Sequence, residues 1–360
     1  MAAGGLDEAL RRDAARSVGR DDLWLDVAAP EAYADVEALS RSAPAGDVQS
    51  PLTVPLIEWF VDRNPFGQGF VVVARDPATG AMVGHFVFYP WPLARRAGPG
   101  AEVEALPAFL FVRLFVAPAF RRRGVFAAMT RYGLEIVARL GVGLAYTAPN
   151  PKSSAGFVKF GMVRRGPLPV WLRPATTLWD WMGGPGPARV NVARLARFES
   201  EFAVPVGDTL PPGTTVWTPR DAVRLNWRYA ERPDADYDIR ELRQDGRFAG
   251  YLVTRVMSIG GRSVLVICDA WTAPGRTGTI RAGLRAALAG VDAPRLALAI
   301  GGGASPELAR AYRRAGFVRC PTALLPQPVV LFGTPVGSAH PAAVPETASW
   351  HVTPVDWDVF

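Results

Sequence analysis

Apolar positions recur along this chain with two different periods. Leu23–Val27, Gly69–Arg75 (GFVVVAR), Ala81–Tyr89 (AMVGHFVFY) and Phe109–Val116 (FLFVRLFV) are short, β-branched or aromatic runs. They predict strands, and the turn residues Asp76-Pro77 and Thr79-Gly80 between the second and third predict a hairpin. From Val125 the spacing changes: Met129, Tyr132, Ile136, Val137 and Leu140 fall on one helical face, Thr130, Arg131, Glu135 and Arg139 on the other, with Gly141 placed to cap the end. Further helices are expected over Glu31–Ser40, Pro55–Arg63 and Pro151–Phe160. Strands are expected over Val142–Thr147 and Met162–Leu172, and Pro90–Pro107 reads as a Gly/Pro-rich loop.

The second half repeats this order. Tyr237–Arg243, the turn Asp245-Gly246 and Phe248–Val256 match the first hairpin, and Ser263–Trp271 matches the strand after it. Helix Ile280–Leu288, strand Arg295–Ile300 and helix Pro306–Ala315 follow. Ala273-Pro274 mirrors Ala117-Pro118; Gly124 to Gly161 spans 37 residues and Gly278 to Gly316 spans 38. Shared order and near-equal spacing point to an internal duplication at an offset of about 155 residues.

Composition narrows the classes. At 360 residues, 49% hydrophobic and 20% charged, the chain suits two globular domains and excludes collagen or a disordered tail. No apolar run approaches the ~20 residues of a membrane helix, and Met1–Asp22 lacks the apolar core of a signal peptide, so a cytoplasmic protein without a membrane partner is expected. The formal charge of +7 is carried almost wholly by arginine, with Lys152 and Lys159 the two lysines. Such a bias, beside excess Ala, Gly and Pro, reads as a GC-rich coding sequence and a solvated arginine surface. Without aromatic–basic interleaving it does not point to nucleic acid. Cys268 and Cys320 lack metal or disulfide spacing and read as core residues, and three histidines make no metal site, so no metal is expected.

The informative stretch runs from Leu114 to Met162. A strand ends at Pro118, and Arg121-Arg122-Arg123-Gly124-Val125-Phe126 turns into a helix. Such a turn aims several backbone N–H groups at one spot, where the helix dipole and flanking arginines favour a pyrophosphate; Gly124 lets the backbone approach it. With Asn150-Pro-Lys-Ser153-Ser154-Ala-Gly156-Phe157 and Phe160-Gly161-Met162 downstream, the chain resembles the GNAT superfamily of acyl-coenzyme A-dependent N-acyltransferases. Arg121 and Gly124 match its Arg/Gln-x-x-Gly-x-Gly/Ala signature, and Phe126 departs from it at the last position. The resemblance is specific over about 69–172 and extends more loosely into the second half, including Asn226-Trp227-Arg228-Tyr229.

The resemblance implies an α/β (α+β) protein of two tandem GNAT-like domains, each a mixed, splayed central β-sheet flanked by helices. The expected division is a polar extension over 1–20, an acyl-CoA-binding domain over 21–174, a connector over 175–195, a degenerate GNAT-like domain over 196–332, and a loop with an apolar tail over 333–360. It implies acetyl-CoA as co-substrate, with Arg121, Arg122, Arg123, Gly124, Val125 and Phe126 cradling the pyrophosphate. Leu114, Phe115 and Val116 would pair with the pantetheine amides, Asn150 would bond the pantetheine arm, and the thioester would lie between Phe109–Val116 and Val142–Thr147. A neutral primary amine of a small molecule (an amino sugar, antibiotic or polyamine) would attack it directly.

Proton transfer is less legible. The family's tyrosine donor falls on Phe157, and the place of a strand carboxylate holds Arg113. Candidates that remain are Glu104 (with Glu102), His85, Ser153 and Tyr146. The glutamates otherwise read as solvated loop residues, His85 and Tyr146 as core, and Ser153 as a helix N-cap. Asp356, Asp358 or the terminal carboxylate would face an acceptor if the tail folds back. Cys268 and Asp269 read as structural, and the second-half loop Gly275-Arg276-Thr277-Gly278, without the arginine triplet, is expected to bind no CoA. The competing readings are a non-catalytic acyl-CoA-binding or interaction protein of the same fold, and a tRNA-dependent aminoacyl transferase.

Overall fold

β-branched and aromatic runs with helical stripes between them assemble into two sheet-and-helix units. A computed structural model describes residues 6–44, 50–96, 98, 100–174, 190–211, 214–259, 261–289, 296–301, 305–325, 329–336 and 349–356. In chain order its early elements are α1 (Glu8–Val18), β1 (Trp24–Val27), α2 (Tyr33–Arg41), α3 (Val54–Val61), β2 (Phe70–Arg75), β3 (Met82–Pro90), β4 (Leu93–Arg96), β5 (Val103–Leu106) and β6 (Ala108–Val116). Then come α4 (Val125–Arg139), β7 (Leu144–Thr147), α5 (Pro151–Lys159), β8 (Val163–Pro167), β9 (Val170–Pro174), β10 (Val190–Leu195), β11 (Ala203–Val204), β12 (Thr214–Trp217) and β13 (Arg220–Asp221). The rest are α6 (Ala222–Leu225), β14 (Asp238–Gln244), β15 (Arg247–Ile259), β16 (Arg262–Thr272), α7 (Thr279–Ala289), β17 (Leu296–Ile300), α8 (Pro306–Arg314), β18 (Val318–Cys320), β19 (Val330–Pro335) and β20 (Ser349–His351).

The first unit comprises 1–93, 105–165 and 331–346. Its sheet has the order β1-β2-β3-β6-β7-β19-β8, antiparallel from β1 to β6 and parallel between β6 and β7. One face packs on α4, where the Phe88 ring fills the place a side chain would take at Gly133. The other carries α3, with Phe60 and Tyr89 rings 4.9 Å apart. Residues 8–18, expected as part of a polar extension, form a helix capped by the Asp7 side chain and ended by Gly19 in the left-handed region. Ala14 is buried there, and Asp13 pairs with Arg139 of α4 at 3.7 Å.

The second unit comprises 94–104, 166–330 and 347–360. Its main sheet runs β10-β14-β15-β16-β17-β9-β18, and β20-β12-β4-β5 make a smaller one. Helices α7 and α8 bury Ile280, Leu284, Leu308 and Tyr312 against Leu252, Leu265 and Trp171. Both sheets carry an extra residue at matching places. In β6 it falls near Arg113, whose φ is +56°, and in β16 at Cys268. The duplicated pattern is thus a duplicated fold.

Three expectations change. Met162–Leu172 is not one strand: β8 lies in the first sheet and β9 in the second, between β17 and β18. Likewise, the chain after 330 returns to the first sheet as β19, antiparallel to β7 through Phe332↔Thr147, so 331–336 counts with the first unit rather than with the tail. An antiparallel ladder is satisfied by whichever strand reaches the open edge, which residue order along the chain does not specify. Third, the Pro90–Pro107 loop contains β4 and β5.

The arginine surface is also only part of the account. Arg173, Arg220, Arg224, Arg228 and Arg232 are buried in the second unit. There Arg220 bonds Asp269 at 2.8 Å and Thr353 at 2.9 Å, and Tyr251 donates to Asp269 at 2.6 Å. Asp356, expected as a candidate facing an acceptor, is fully buried instead; it accepts from the Thr353 N–H at 2.7 Å and from the Thr218 hydroxyl. Residues 349–356 of the tail do fold back, with Val352 and Val355 buried, and 357–360 lie outside the described residues. Of the expected 175–195 connector, 190–195 are instead strand β10 of the second unit's main sheet, while 175–189, 337–348 and Asp358 lie outside the described residues.

Candidate acyl-CoA site

β6 and β7 pair over three registers, Ala108↔Leu144 to Leu110↔Tyr146, and the Thr147 hydroxyl then donates to the Phe111 carbonyl at 2.8 Å. β6 runs on to Val116 while β7 ends at Thr147, so beyond Phe111 the two strands part and the β6 edge is left without a neighbouring strand. The opening expected between these strands is present. Leu114 and Val116 are half-buried along it and Phe115 is buried.

At the end of β6 a short 3-10 turn, Pro118–Phe120, leads into the arginine triplet. Arg121 is extended, Arg122 takes φ +62° and Gly124 takes φ +80° immediately before α4. Residues turning through the left-handed region bring consecutive N–H groups toward one concavity. No side chain caps α4, whereas the helices that follow β7 and β17 are capped: Asn150 accepts from Ser153 N–H at 3.1 Å, and Ser305 from Leu308 N–H at 3.2 Å. The first-turn N–H groups of α4 and its dipole therefore face the loop. Arg121, Arg122 and Arg123 are exposed around it. Arg121 Nε donates to the Val116 carbonyl at 3.0 Å and its guanidinium covers Phe115, so it closes over the end of β6.

A fourth arginine was missed. Arg20, just past α1, donates to the Arg123 carbonyl at 3.0 Å and is held by Asp22 at 2.5 and 2.6 Å. A Cβ on Gly124 would lie 2.6 Å from Arg20 Nη1, which the flexible guanidinium can relieve by shifting, so it is the φ of +80° that calls for glycine here. The signal was the Asp7 cap and Gly19 stop of a helix, which would have placed Arg20 on a folded element.

Phe126 and Phe157 account for the departures from the signature. The Phe126 ring packs on Phe157 at 5.1 Å and Phe160 at 5.7 Å, over the bare Cα of Gly156. Phe157 in turn meets Phe111 at 5.5 Å and Phe86 at 6.4 Å. This aromatic wall joins α4, α5 and β6 where the strands part.

The proposed proton carriers separate. His85 sits on the opposite face of β3, 1% exposed and tilted against Phe115. Burial pushes its pKa down to about 4, so it is a neutral core imidazole. Tyr146 is buried in the core. Glu104 belongs to the second unit, where it pairs with Arg95 at 2.7 Å across β4 and β5. Ser153 is half-buried and its hydroxyl donates to Asn150, at 3.1 Å to the side chain and 3.2 Å to the carbonyl; Asn150, not Ser153, is the N-cap. The Asn150 amide oxygen is thereby used in capping, which leaves its NH2 as the donor. Arg113 donates to the Ser50 carbonyl and hydroxyl, both at 2.9 Å.

In the second unit the corresponding loop is stitched by its own side chains. Thr272 and Thr279 hydroxyls donate to the Arg276 carbonyl at 2.9 and 2.8 Å, and Arg314 bonds the buried Thr277 hydroxyl at 2.5 Å. Asp269 stands where the first half has Arg113, but it is enclosed by Arg220, Tyr251 and Thr353. Among the described residues no group of His, Cys, Asp and Glu is placed to hold a metal, and no helix is long and apolar enough to cross a membrane.

A mixed sheet containing one parallel pair, followed by a helix at the end of the longer strand, is present once in each unit. The chain is built on the GNAT fold in its tandem form. A tandem GNAT protein from the clavulanic acid biosynthesis pathway is similar at TM-score 0.56 and 16% identity, over 89% of this chain and 99% of that one. A probable N-acyltransferase from Enterococcus faecalis is similar at TM-score 0.56 and 12% identity, over 88% and 72%. The Saccharomyces cerevisiae N-myristoyltransferase with bound myristoyl-CoA is similar at TM-score 0.53 and 11% identity, over 88% and 78%. No family model matches the chain, and no curated protein matches it in sequence.

Proposed function

We propose that the chain is an acyl-CoA-dependent N-acyltransferase whose first unit holds the thioester and whose acceptor is a primary amine of a small molecule. The observation that carries this reading is the uncapped start of α4 behind Arg122 and Gly124, both in the left-handed region, beside the parting of β6 and β7. The pyrophosphate would sit on the α4 amides with Arg122, Arg123 and Arg20 around it. The pantetheine would add to the free edge of β6 near Leu114–Val116 and accept from the Asn150 NH2. The amine nitrogen would attack the thioester carbonyl, a β6 N–H near Val116 would hold the oxyanion, and the CoA thiolate would leave. Ser153 lies one helical turn before Phe157 on the same face of α5, and we assign its hydroxyl as the relay that passes a proton to the departing thiolate while taking one from the ammonium nitrogen of the tetrahedral adduct. Acetyl is the acyl group we assign, with the Phe126–Phe157–Phe111 wall beside the opening.

Thermal shift and calorimetry with acetyl-CoA test the binding step. Hundredfold excess over Kd should stabilise the chain by about 2.7 kcal/mol, with one molecule bound per chain, since the second-unit loop is filled. Reversing charge at Arg122 and Arg123 together should abolish the shift; an unchanged shift refutes the assignment. Thiol release with an amine panel then tests transfer. The specific observation favouring a non-catalytic acyl-CoA binder is Phe157, a buried ring where a proton donor is usual. Acetyl-CoA binding without thiol release for any amine would select that reading.

A further inference from the structure

At the far edge of the second unit's main sheet, a cavity of about 370 Å3 is lined by Trp171, Ala309, Arg313, Phe317, Val318 and Arg319. That size lies within the range of small-molecule sites. β18 is the edge strand, and its register sets Arg319 directly opposite Trp171 of β9, so both side chains share the sheet face that α8 covers. Arg313 comes from the last turn of α8. The floor is apolar: Trp171 and Phe317 are each 3% exposed, and the Tyr312 ring lies 5.7 Å from Trp171 and 5.5 Å from Phe317.

Three polar features at this cavity serve no internal purpose. Arg313 and Arg319 have neither an ion-pair nor a hydrogen-bond partner among the described residues, although most arginines of this chain are matched to a carboxylate or carbonyl. The Trp171 indole N–H is buried and has no acceptor. A buried donor without an acceptor carries an uncompensated desolvation cost, which a ligand acceptor would offset. Arg173, over the Phe317 ring and bonded to the Ala315 carbonyl at 2.5 Å, adds positive charge behind the floor.

We propose that this cavity binds an organic anion with a flat apolar body, its acid group between Arg313 and Arg319 and its ring system on Trp171 and Phe317, within reach of the indole N–H. The site is separate from the acyl-CoA loop and does not depend on that assignment.

The test uses the full chain, calorimetry, and 2-naphthoate with two controls, the uncharged 2-naphthalenemethanol and acetate. Naphthoate should bind at least tenfold more tightly than either control. Arg313→Ala with Arg319→Ala should cost naphthoate at least tenfold and leave the alcohol unchanged; both residues are exposed, so the fold is kept, as far-UV circular dichroism will verify. W171F should cost a few-fold, and R122E with R123E nothing. Absence of naphthoate binding, equal affinity for acid and alcohol, acetate binding as tightly, or indifference to the double variant would each overturn the proposal.

Discussion

The Phe126 ring lies directly over the Cα of Gly156, occupying the space of a side chain there, so the first turn of α4 and the middle of α5 are fitted to each other through a ring and a missing Cβ. This contact explains how the chain tolerates phenylalanine at a position where the GNAT signature has a small residue.

A glycine inside a helix ordinarily gains stability when replaced by alanine, by about 0.5–1 kcal/mol. Here Gly156→Ala should instead destabilise by about 1–3 kcal/mol, because the ring must move from a packed wall. Phe126→Ala in the same chain should restore the usual gain from alanine at 156. A urea double-mutant cycle measures the coupling; additive effects would show that the ring moves aside freely.

Arg20 sits beside the turn with Asp22 holding its guanidinium. Arg20→Ala should weaken acetyl-CoA binding about three- to tenfold, the scale of one charge-assisted contact at an exposed site, and should flatten the salt dependence of binding. Calorimetry at two ionic strengths reads both. Equal affinity for the variant would place Arg20 outside the site.

Arg220 is enclosed with two carboxylates, 2.8 Å from Asp269 and 3.5 Å from Asp356. Removing the one cation strands buried negative charge, so Arg220→Met should cost about 3–5 kcal/mol. Asp356 already sits with its pKa raised, burial outweighing the Arg220 charge, and the variant should raise it further. The loss should therefore be smaller at pH 5 than at pH 8, as denaturant midpoints at both will report.

His85 and His351 are buried neutral, their pKa values pushed by burial down to about 4 and about 3. The unfolded chain takes up these protons near pH 6.5 and the folded chain only well below it, so the unfolded state binds more protons in between. Stability should be full above pH 6.5 and fall as the pH drops toward 4, by about 2–3 kcal/mol for each histidine. His85→Leu with His351→Leu should flatten that limb; a wild-type profile that is level from pH 7 to 4.5 would contradict it.

Strand and helix positions were readable because each element carries its own period, as the Val125–Leu140 stripe and the GFVVVAR run illustrate. The triplet-and-glycine turn was readable for a related reason. The shape of such a turn depends on a few consecutive residues, Arg121 to Phe126, whose backbone geometry is local. Arg20 was not readable, since it reaches the turn from 103 residues away. His85 was ambiguous because a strand histidine shows its face only once the sheet has neighbours; Phe115 on one side and burial on all others make it core.

By itself, then, the sequence determined what short stretches determine: the order of elements, the duplication, the cationic turn and the absence of a tyrosine at Phe157. Tertiary structure alone decided which edge each strand would join, sending β9 to the second sheet and β19 to the first, and which charges would be enclosed with Arg220. Ladder pairing and burial are relations between residues distant along the chain. Their free energy depends on which surfaces meet, and the one-dimensional pattern leaves that open until the two units have closed around their cores.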